Sequence, residues 1–586
     1  MNIQKKLCKA EDFAKKGRLD EGIILLNDVL KKFPKQPQAH SLLGMFYIFL
    51  KQAPLAKKHF IESLSVKFEK TVATNLVSLL IQNKLWKEAY QWSQKIIENN
   101  TYHIGNLINH AMVLREIGMV NESIEWYQKI ISENPKNIEA KISYGFTLNK
   151  LEQYENAINI YRQGLLIDPV NKNLIYNLGI TYLNNYDYDN AIYFITHALE
   201  QSHESFDLWL TLSVCQSKKR DFIAAMQSIE QAEKLQSKHP LVSFQRGTIL
   251  MQQDKNEEAL IQFTTALQYD PNHIETKYHI GLVKLKQEKY EEAMSYYQYR
   301  TIRENNRIGK FDDQNLPIIN KDSDLIISWE QGIGDQILYL SLIDEIKDSV
   351  KSITYITQDK LYELVKFNYP QINVIKDDES DKFIKTNPDF KKLNIGSIMA
   401  FIKNWDSFFN KPNIWVVEEK LRKNYLKKYK KEKKAILGLS WMSANKKIGD
   451  EKSIPLNQLS SIISNQTTIS LQYGDVQDEI NKVNQDKSLN IIHDDELDYF
   501  NDINSLAALI SICDIVVTCS NVTAHIAGRL GIKTYLMIPK FFGNIWYWNE
   551  SQHQSRWYPS VTIIRQKIDM SWDDPIQEVK KQLSFA

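Results

Sequence analysis

Through the first three hundred residues, apolar side chains follow the three-and-four spacing of helices, and small residues return at a fixed phase. Gly22, Ala56, Ala89, Ser123, Ala157, Ala191, Ala225, Ala259 and Ala293 are separated by 34 residues, with a single step of 33. Gly44, Gly145, Gly179, Gly247 and Gly281 keep the same period, as do Pro34, Pro135, Pro169 and Pro271. Small residues at one phase suit the closest approach of two packed helices, because a larger side chain would hold them apart. These prolines follow second helices and stop them, having no N–H to continue the ladder. The pattern predicts about eight helix–turn–helix units over residues 1–304, with Tyr161, Tyr176, Tyr182 and Tyr193 as interhelical packing.

Beyond a polar linker at residues 305–321 the period changes. Short apolar or β-branched runs at 325–329, 353–357, 372–375, 436–441, 467–473, 489–493, 514–519 and 534–538 alternate with helical stretches. Alternation of that kind predicts parallel sheets covered on both faces, with ligands at the carboxyl ends of the strands. The lysine-rich "KKYKKEKKA" divides this half at about residue 432, so two α/β lobes are expected, 322–432 and 433–586.

Charge and composition narrow the function classes. The 73 basic and 71 acidic side chains leave a formal charge of +2, which points away from nucleic acid and anionic membranes. Cys8, Cys215, Cys513 and Cys519 show neither a disulfide framework nor zinc spacing. The first residues lack the apolar core of a signal peptide, and no stretch of about 18 apolar residues exists to span a membrane, so a cytoplasmic location is expected.

The seam between the halves carries "SWEQGIGDQILYLSLI", residues 328–343. Gly332 and Gly334 bracket a turn between a strand and a helix, whose free N–H groups suit an anion or a sugar. The segment is not a phosphate-binding Walker loop, and Ile337 stands where a dinucleotide fingerprint needs glycine. Asp335 reads either as a helix cap or as a base at a cleft. In "CDIVVTCSNVTAHIAGRLG" a helix opens behind Ser520 and Asn521, both good N-cap residues, and its N-terminus suits a diphosphate. "SWMSANKKIGDEKSIP" supplies Ser440, Ser443, Lys446, Lys447 and Lys452 at a strand end, of which one or two lysines would neutralise a leaving diphosphate and the rest would be solvated. Gln472 and Tyr473 end the next strand, placed to contact the nucleoside, although Tyr473 reads equally as packing. The acids of "HDDELDYFND" fall where capping and solvation account for them, so no metal site is expected. "WYWNE" and "SRWYP" read as aromatic walls near the cleft mouth, part of them core.

The 34-residue period and "NLGITYLNNYDYDNAIYFITHALE" resemble the tetratricopeptide repeat, whose arrays form a groove for an extended peptide or a partner helix. The whole second half resembles the glycosyltransferase-B-like domain of repeat-bearing bacterial proteins related to the ADP-heptose:lipopolysaccharide heptosyltransferases. Five segments carry that likeness in order: "WEQGIGDQILYLSLI", "LGLSWMSANKK…KSIPLNQL", "ISLQYGDVQDEI", "IIHDDELDYFNDINSLAALISICDIVVTCSNVTAHIAGRLG" and "SRWYPSVTIIRQ". The architecture is also similar to O-linked N-acetylglucosamine transferase and the flagellin glycosyltransferases. The resemblance implies an all-α solenoid followed by two Rossmann-like lobes, Asp335 as general base, and Ser520, Asn521, Thr523, Ala524 and His525 lining a donor pocket. Heptosyltransferases carry aspartate where Ser520 stands, which speaks against ADP-heptose as donor, and His525 reads alternatively as a core residue. It implies a metal-independent glycosyltransferase with a nucleotide-sugar co-substrate, no cofactor, and a polypeptide acceptor such as flagellin or a surface protein held by the repeats. The rivals are transfer to a lipid-linked or polysaccharide acceptor, and a non-catalytic adaptor with a degenerate transferase domain.

Overall fold

The structure, a computed structural model, describes residues 3–99, 103–302, 310–313, 315–411, 414–430, 435–443, 449–463, 467–486, 489–541, 543–548, 553–568 and 570–584. The chain divides into two compact units, residues 1–228 and 229–586.

Among the described residues, eighteen helices run from Ile3–Lys15 to Tyr290–Tyr297 before the first strand, in nine antiparallel pairs rather than the eight that the sequence suggested. In the first pair the leading helix, Ile3–Lys15, carries no glycine of the periodic series, while its partner, Leu19–Lys32, carries Gly22. The small residues sit in the second helix of each pair, and Ala56 through Ala293 are enclosed without exposed surface. Their counterparts in the first helices lie where the neighbour is closest. A Cβ on Gly145 would come within 2.5 Å of the Tyr161 ring, and one on Gly281 within 2.7 Å of the Tyr297 backbone. Polar rungs tie successive first helices together, with Arg115 Nη1 donating to Thr147 Oγ1 at 3.1 Å and Asn149 Nδ2 to Thr181 Oγ1 at 2.6 Å.

One further period appears only in three dimensions. The turn inside each pair is closed by a residue in the left-handed region: Gly17, Lys51, Lys84, Gly118, Glu152, Tyr186, Arg220, Asp254 and Glu288, with φ between +56° and +90°. Two of the nine are glycine, so the residue types hide the position from a sequence reading.

The second unit begins inside the repeats. Its α/β part holds two all-parallel sheets. The first orders β1 (Asp324–Ser328), β2 (Ser352–Thr357), β3 (Asn373–Lys376) and β4 (Lys391–Asn394) as β3-β2-β1-β4. The second joins β5 (Ile436–Ser440), β6 (Thr467–Ser470), β7 (Ile491–Ile492), β8 (Ile515–Cys519), β9 (Lys533–Ile538) and β10 (Val561–Arg565) as β10-β9-β8-β5-β6-β7. Each sheet grows outward in both directions from its first strand. The order of connection therefore reverses between β1 and β4, and again between β5 and β8, and such switch points open crevices at the carboxyl ends of the strands. Sequence periodicity predicted eight of the ten strands among the described residues. It missed β4, whose "KKLN" is too short and polar to register, and β10.

The last repeats belong with these sheets through packing that a boundary at residue 304 would cut. Tyr290 stacks on Trp405 with ring centroids 4.2 Å apart. The left-handed turn residues Asp254 and Glu288 make ion pairs with Lys540 at 2.9 Å and Arg556 at 2.6 Å. Part of the expected linker is docked as well: the N–H groups of Lys310 and Phe311 donate to Asn394 Oδ1, and Asp313 is fully buried.

Candidate functional site

The glycine turn leaves β1 through Trp329, Glu330 and Gln331. Gln331 is held at φ +60°, an uncommon conformation for a residue with a side chain, and its Nε2 donates to Tyr297 Oη of the last repeat at 3.0 Å. Gly332 then caps the helix Ile333–Leu340. Asp335 lies in the first turn of that helix, where its Oδ2 accepts the Gly332 N–H at 3.1 Å and the Tyr547 hydroxyl stands close to its carboxylate. Both readings of this residue therefore keep a physical basis. It closes half of a capping box, and it is half-buried beside other polar groups. Burial raises its pKa, against the pull of the Gly332 N–H, Lys452 and Tyr547.

The second sheet builds the facing wall at its β5/β8 switch point. Asn521 caps the helix Val522–Arg529, its Oδ1 accepting the Thr523 N–H at 3.0 Å and the Thr518 hydroxyl at 3.1 Å. Its Nδ2 donates to Ser440 Oγ at 2.7 Å and to the Met442 carbonyl at 3.1 Å. Ser440 in turn donates to Gln472 Oε1 at 3.0 Å. Gln472 spends its amide on the loop: Oε1 also accepts the N–H groups of Trp441 and Met442, both at 2.8 Å, and Nε2 donates to the carbonyls of Met442 and Tyr473. Ser440, Gln472 and Asn521 thus form one neutral network that fixes the strand ends. Ser443 follows, its N–H on Ser453 Oγ at 3.0 Å. Tyr473 packs edge-on to Phe500.

The two walls touch. A Cβ on Gly334 would lie 2.7 Å from the His525 ring, so a glycine is what lets the two helices approach here. His525 is enclosed by Tyr547, Trp548 and Tyr558, with Nδ1 3.0 Å from Tyr558 Oη. Burial pushes its pKa down to about 3, so the ring is neutral at physiological pH. Ser520 Oγ accepts the Trp548 indole N–H at 3.0 Å. Lys452 is 5% exposed and faces the Cys519 thiol and the Asp335 carboxylate; burial lowers its pKa, and those two groups oppose the shift. Ala524 is fully enclosed. Thr523 Oγ1, also buried, has no hydrogen-bond partner among the described residues and lies one position behind the first residue of that helix. Lys446 and Lys447 lie outside the described residues.

The structure sets Gly334 against His525 and Lys452 near Asp335 and Cys519, and sequence reasoning missed what secures them. Tyr547 and Trp548 are buried against Asp335 and Ser520, where the sequence suggested walls at a mouth. Glu330 and Arg300, described below, carried no motif. The acidic run is used structurally, as expected. Lys428 bridges Asp494 and Glu496 at 2.8 Å each, Asp498 accepts the N–H groups of Phe500 and Asn501, and Asp502 caps the helix Ile503–Ile510. Among the described residues no cluster of His, Cys, Asp and Glu has the makings of a metal site. A cavity of about 900 Å³ lies at the opposite ends of the two facing helices, lined by Ser341, Phe409, Gly528, Arg556 and Trp557 among others. It is a separate space from the site at the helix starts.

The tetratricopeptide repeat family matches residues 138–171. The protein FlbA of Caulobacter vibrioides is 22% identical over 259 residues, covering 40% of this chain and 42% of FlbA, so the chain spans less than half the length of that relative. A tetratricopeptide repeat protein of Parabacteroides merdae aligns over 44% of this chain and 98% of its own, with 17% identity and a TM-score of 0.37. Another, from Thermus thermophilus, aligns over 31% and 100%, with 18% identity and a TM-score of 0.28. The N-terminal half is a helical solenoid containing a tetratricopeptide repeat, followed by a region of parallel sheets. No described helix is long and apolar enough to cross a membrane.

Proposed function

We propose that this chain is a glycosyltransferase of the glycosyltransferase-B type, moving a sugar from a nucleotide sugar to a polypeptide hydroxyl presented by the repeats. One observation carries the reading: the turn bearing Asp335, from the first sheet, packs directly on the start of the Val522–Arg529 helix at the switch point of the second, Gly334 against His525. A carboxylate from one lobe and a helix N-terminus from the other are the two groups that such transfer needs in one place.

In this reaction the acceptor oxygen forms a bond to the anomeric carbon as the bond from that carbon to the diphosphate breaks. Asp335 takes the hydroxyl proton, and its pKa, raised by burial, makes it a stronger base than an exposed carboxylate. Lys452 and the positive end of the helix that starts behind Asn521 receive the charge that develops on the departing diphosphate. The orphan Thr523 hydroxyl supports the same assignment, since a buried donor without a partner costs free energy unless a ligand takes it up. The Ser440–Gln472–Asn521 network holds this wall without offering charge of its own.

The test is a calorimetric titration with nucleoside diphosphates of each base, followed by transfer assays with the matching nucleotide sugars. Wild type binds one of them, Asp335→Asn retains that binding while transfer falls by about 10²–10⁴-fold, and Lys452→Met loses affinity. Absence of binding to every nucleotide overturns the reading and leaves a repeat protein with two parallel sheets.

A further inference from the structure

The β1/β4 switch point of the first sheet is filled from within. Glu330, two residues before Gly332, turns its carboxylate into the crevice between the ends of β1 and β4. Oε1 accepts the Gly396 N–H at 2.6 Å and Arg300 Nη2 at 2.9 Å, while Oε2 accepts Arg300 Nε at 3.0 Å. Glu330 and Arg300 have no exposed surface. A Cβ on Gly396 would stand 2.0 Å from Glu330 Oε1, so the backbone there is bare where the carboxylate arrives. Arg300 comes from the short helix Gln298–Ile302 that ends the repeats. Its Nη2 also donates to Ser397 Oγ at 2.7 Å and lies 3.5 Å from Asp313 Oδ2. Asp313 completes the closure, accepting from the Asn394 side chain at 2.9 Å and from the Ser397 hydroxyl.

We propose that Glu330 is a built-in anionic ligand of the first switch point, clamped there by Arg300 of the last repeat, so that this crevice takes no outside anion and the Asp335 turn is fixed to the repeats. Three observations converge on it. The carboxylate occupies the place where doubly wound sheets bind anionic ligands. Its charge is met by a bidentate guanidinium, the strongest pairing available to a carboxylate. And the guanidinium comes from outside the sheet, on the repeat whose Tyr297 also receives Gln331. Glu330 and Arg300 are positioning residues, touching no reactant. The proposal stands whether or not the transferase reading does.

The experiment needs no nucleotide. Thermal unfolding of the full chain, followed in the wild type, Glu330→Ala and the double variant Arg300→Met/Glu330→Ala, is measured in sodium formate and in sodium chloride at equal ionic strength. Glu330→Ala leaves the guanidinium and the Gly396 N–H without their anion. We expect formate to raise its Tm by at least about 3 °C more than it raises that of the wild type, by linkage, and expect no such response in the double variant. Equal responses in the wild type and Glu330→Ala overturn the proposal. If Glu330→Ala folds in neither salt, Glu330→Gln decides: it keeps the shape and loses the charge. A Tm loss of at least about 5 °C supports the carboxylate as ligand, and a smaller loss refutes it.

Discussion

The two switch points of this molecule have the same topology and opposite chemistry. At β1/β4 the crevice holds three charged side chains, Arg300, Glu330 and Asp313, all fully buried and satisfied by one another and by Gly396, Asn394 and Ser397. At β5/β8 the strand ends are tied by the neutral Ser440–Gln472–Asn521 network, and what remains is a buried lysine and an orphan threonine hydroxyl. A crevice whose buried charges are all partnered from within is finished. The other keeps an ammonium group and an unpaired donor, and it is where the proposed transferase would take its ligand.

The sharpest way to break this contrast is to remove the cation from the finished side. Arg300→Met strands two buried carboxylates, for which burial already works against ionisation, and is expected to cost about 3–5 kcal/mol in urea unfolding. A cost near zero would mean that the cluster is not buried in solution. Next comes the contact between the lobes. The neutral His525 refuses a proton that the unfolded chain accepts, so its contribution is intact above about pH 6.5 and is lost as pH falls toward about 3. Each pH unit in that window removes about 1.4 kcal/mol. The difference in stability between wild type and His525→Phe, measured at pH 7 and pH 5, should therefore move by about 2 kcal/mol against the wild type. An unchanged difference would place the ring in water.

On the open side, Asn521→Ala removes a helix cap and is expected to cost about 1–2 kcal/mol, less than the charged cluster, while nucleotide binding, if the transferase reading holds, is lost with it. The smallest effect separates the repeats themselves. Lys84→Gly relieves a left-handed residue and should gain up to about 1 kcal/mol. Glu288→Gly relieves the same strain but gives up the Arg556 ion pair, and should gain nothing. Equal gains at both turns would deny Glu288 its role at the junction.

What could be read from the sequence follows from these differences. The solenoid was legible because each unit repeats one packing solution, so Ala157 and Ala191 report the same seam. The nine left-handed turns were not, since Lys, Glu, Tyr, Arg and Asp occupy a position that only glycine announces. The turns at Asn521 and Asp335 were legible because both join a strand to a helix and carry cap chemistry. The closed switch point was hidden, because β4 is four residues long and because Glu330 and Arg300 meet only in space, 30 residues apart. Gln472 was expected to touch a ligand, and its amide is instead spent on the loop it follows. A sequence shows that such a side chain has polar valence, not where that valence is used.

Because every repeat offers its neighbour the same seam, the array behaves as a ruler whose graduations are interchangeable. On such a ruler each 34-residue module upstream of residue 228 adds one more increment of the same kind. The terminal graduation is different in kind. It and the unit before it carry Asp254, Glu288, Tyr297 and Arg300, each already committed to a partner beyond the array, so neither can be exchanged for another module without cutting those contacts.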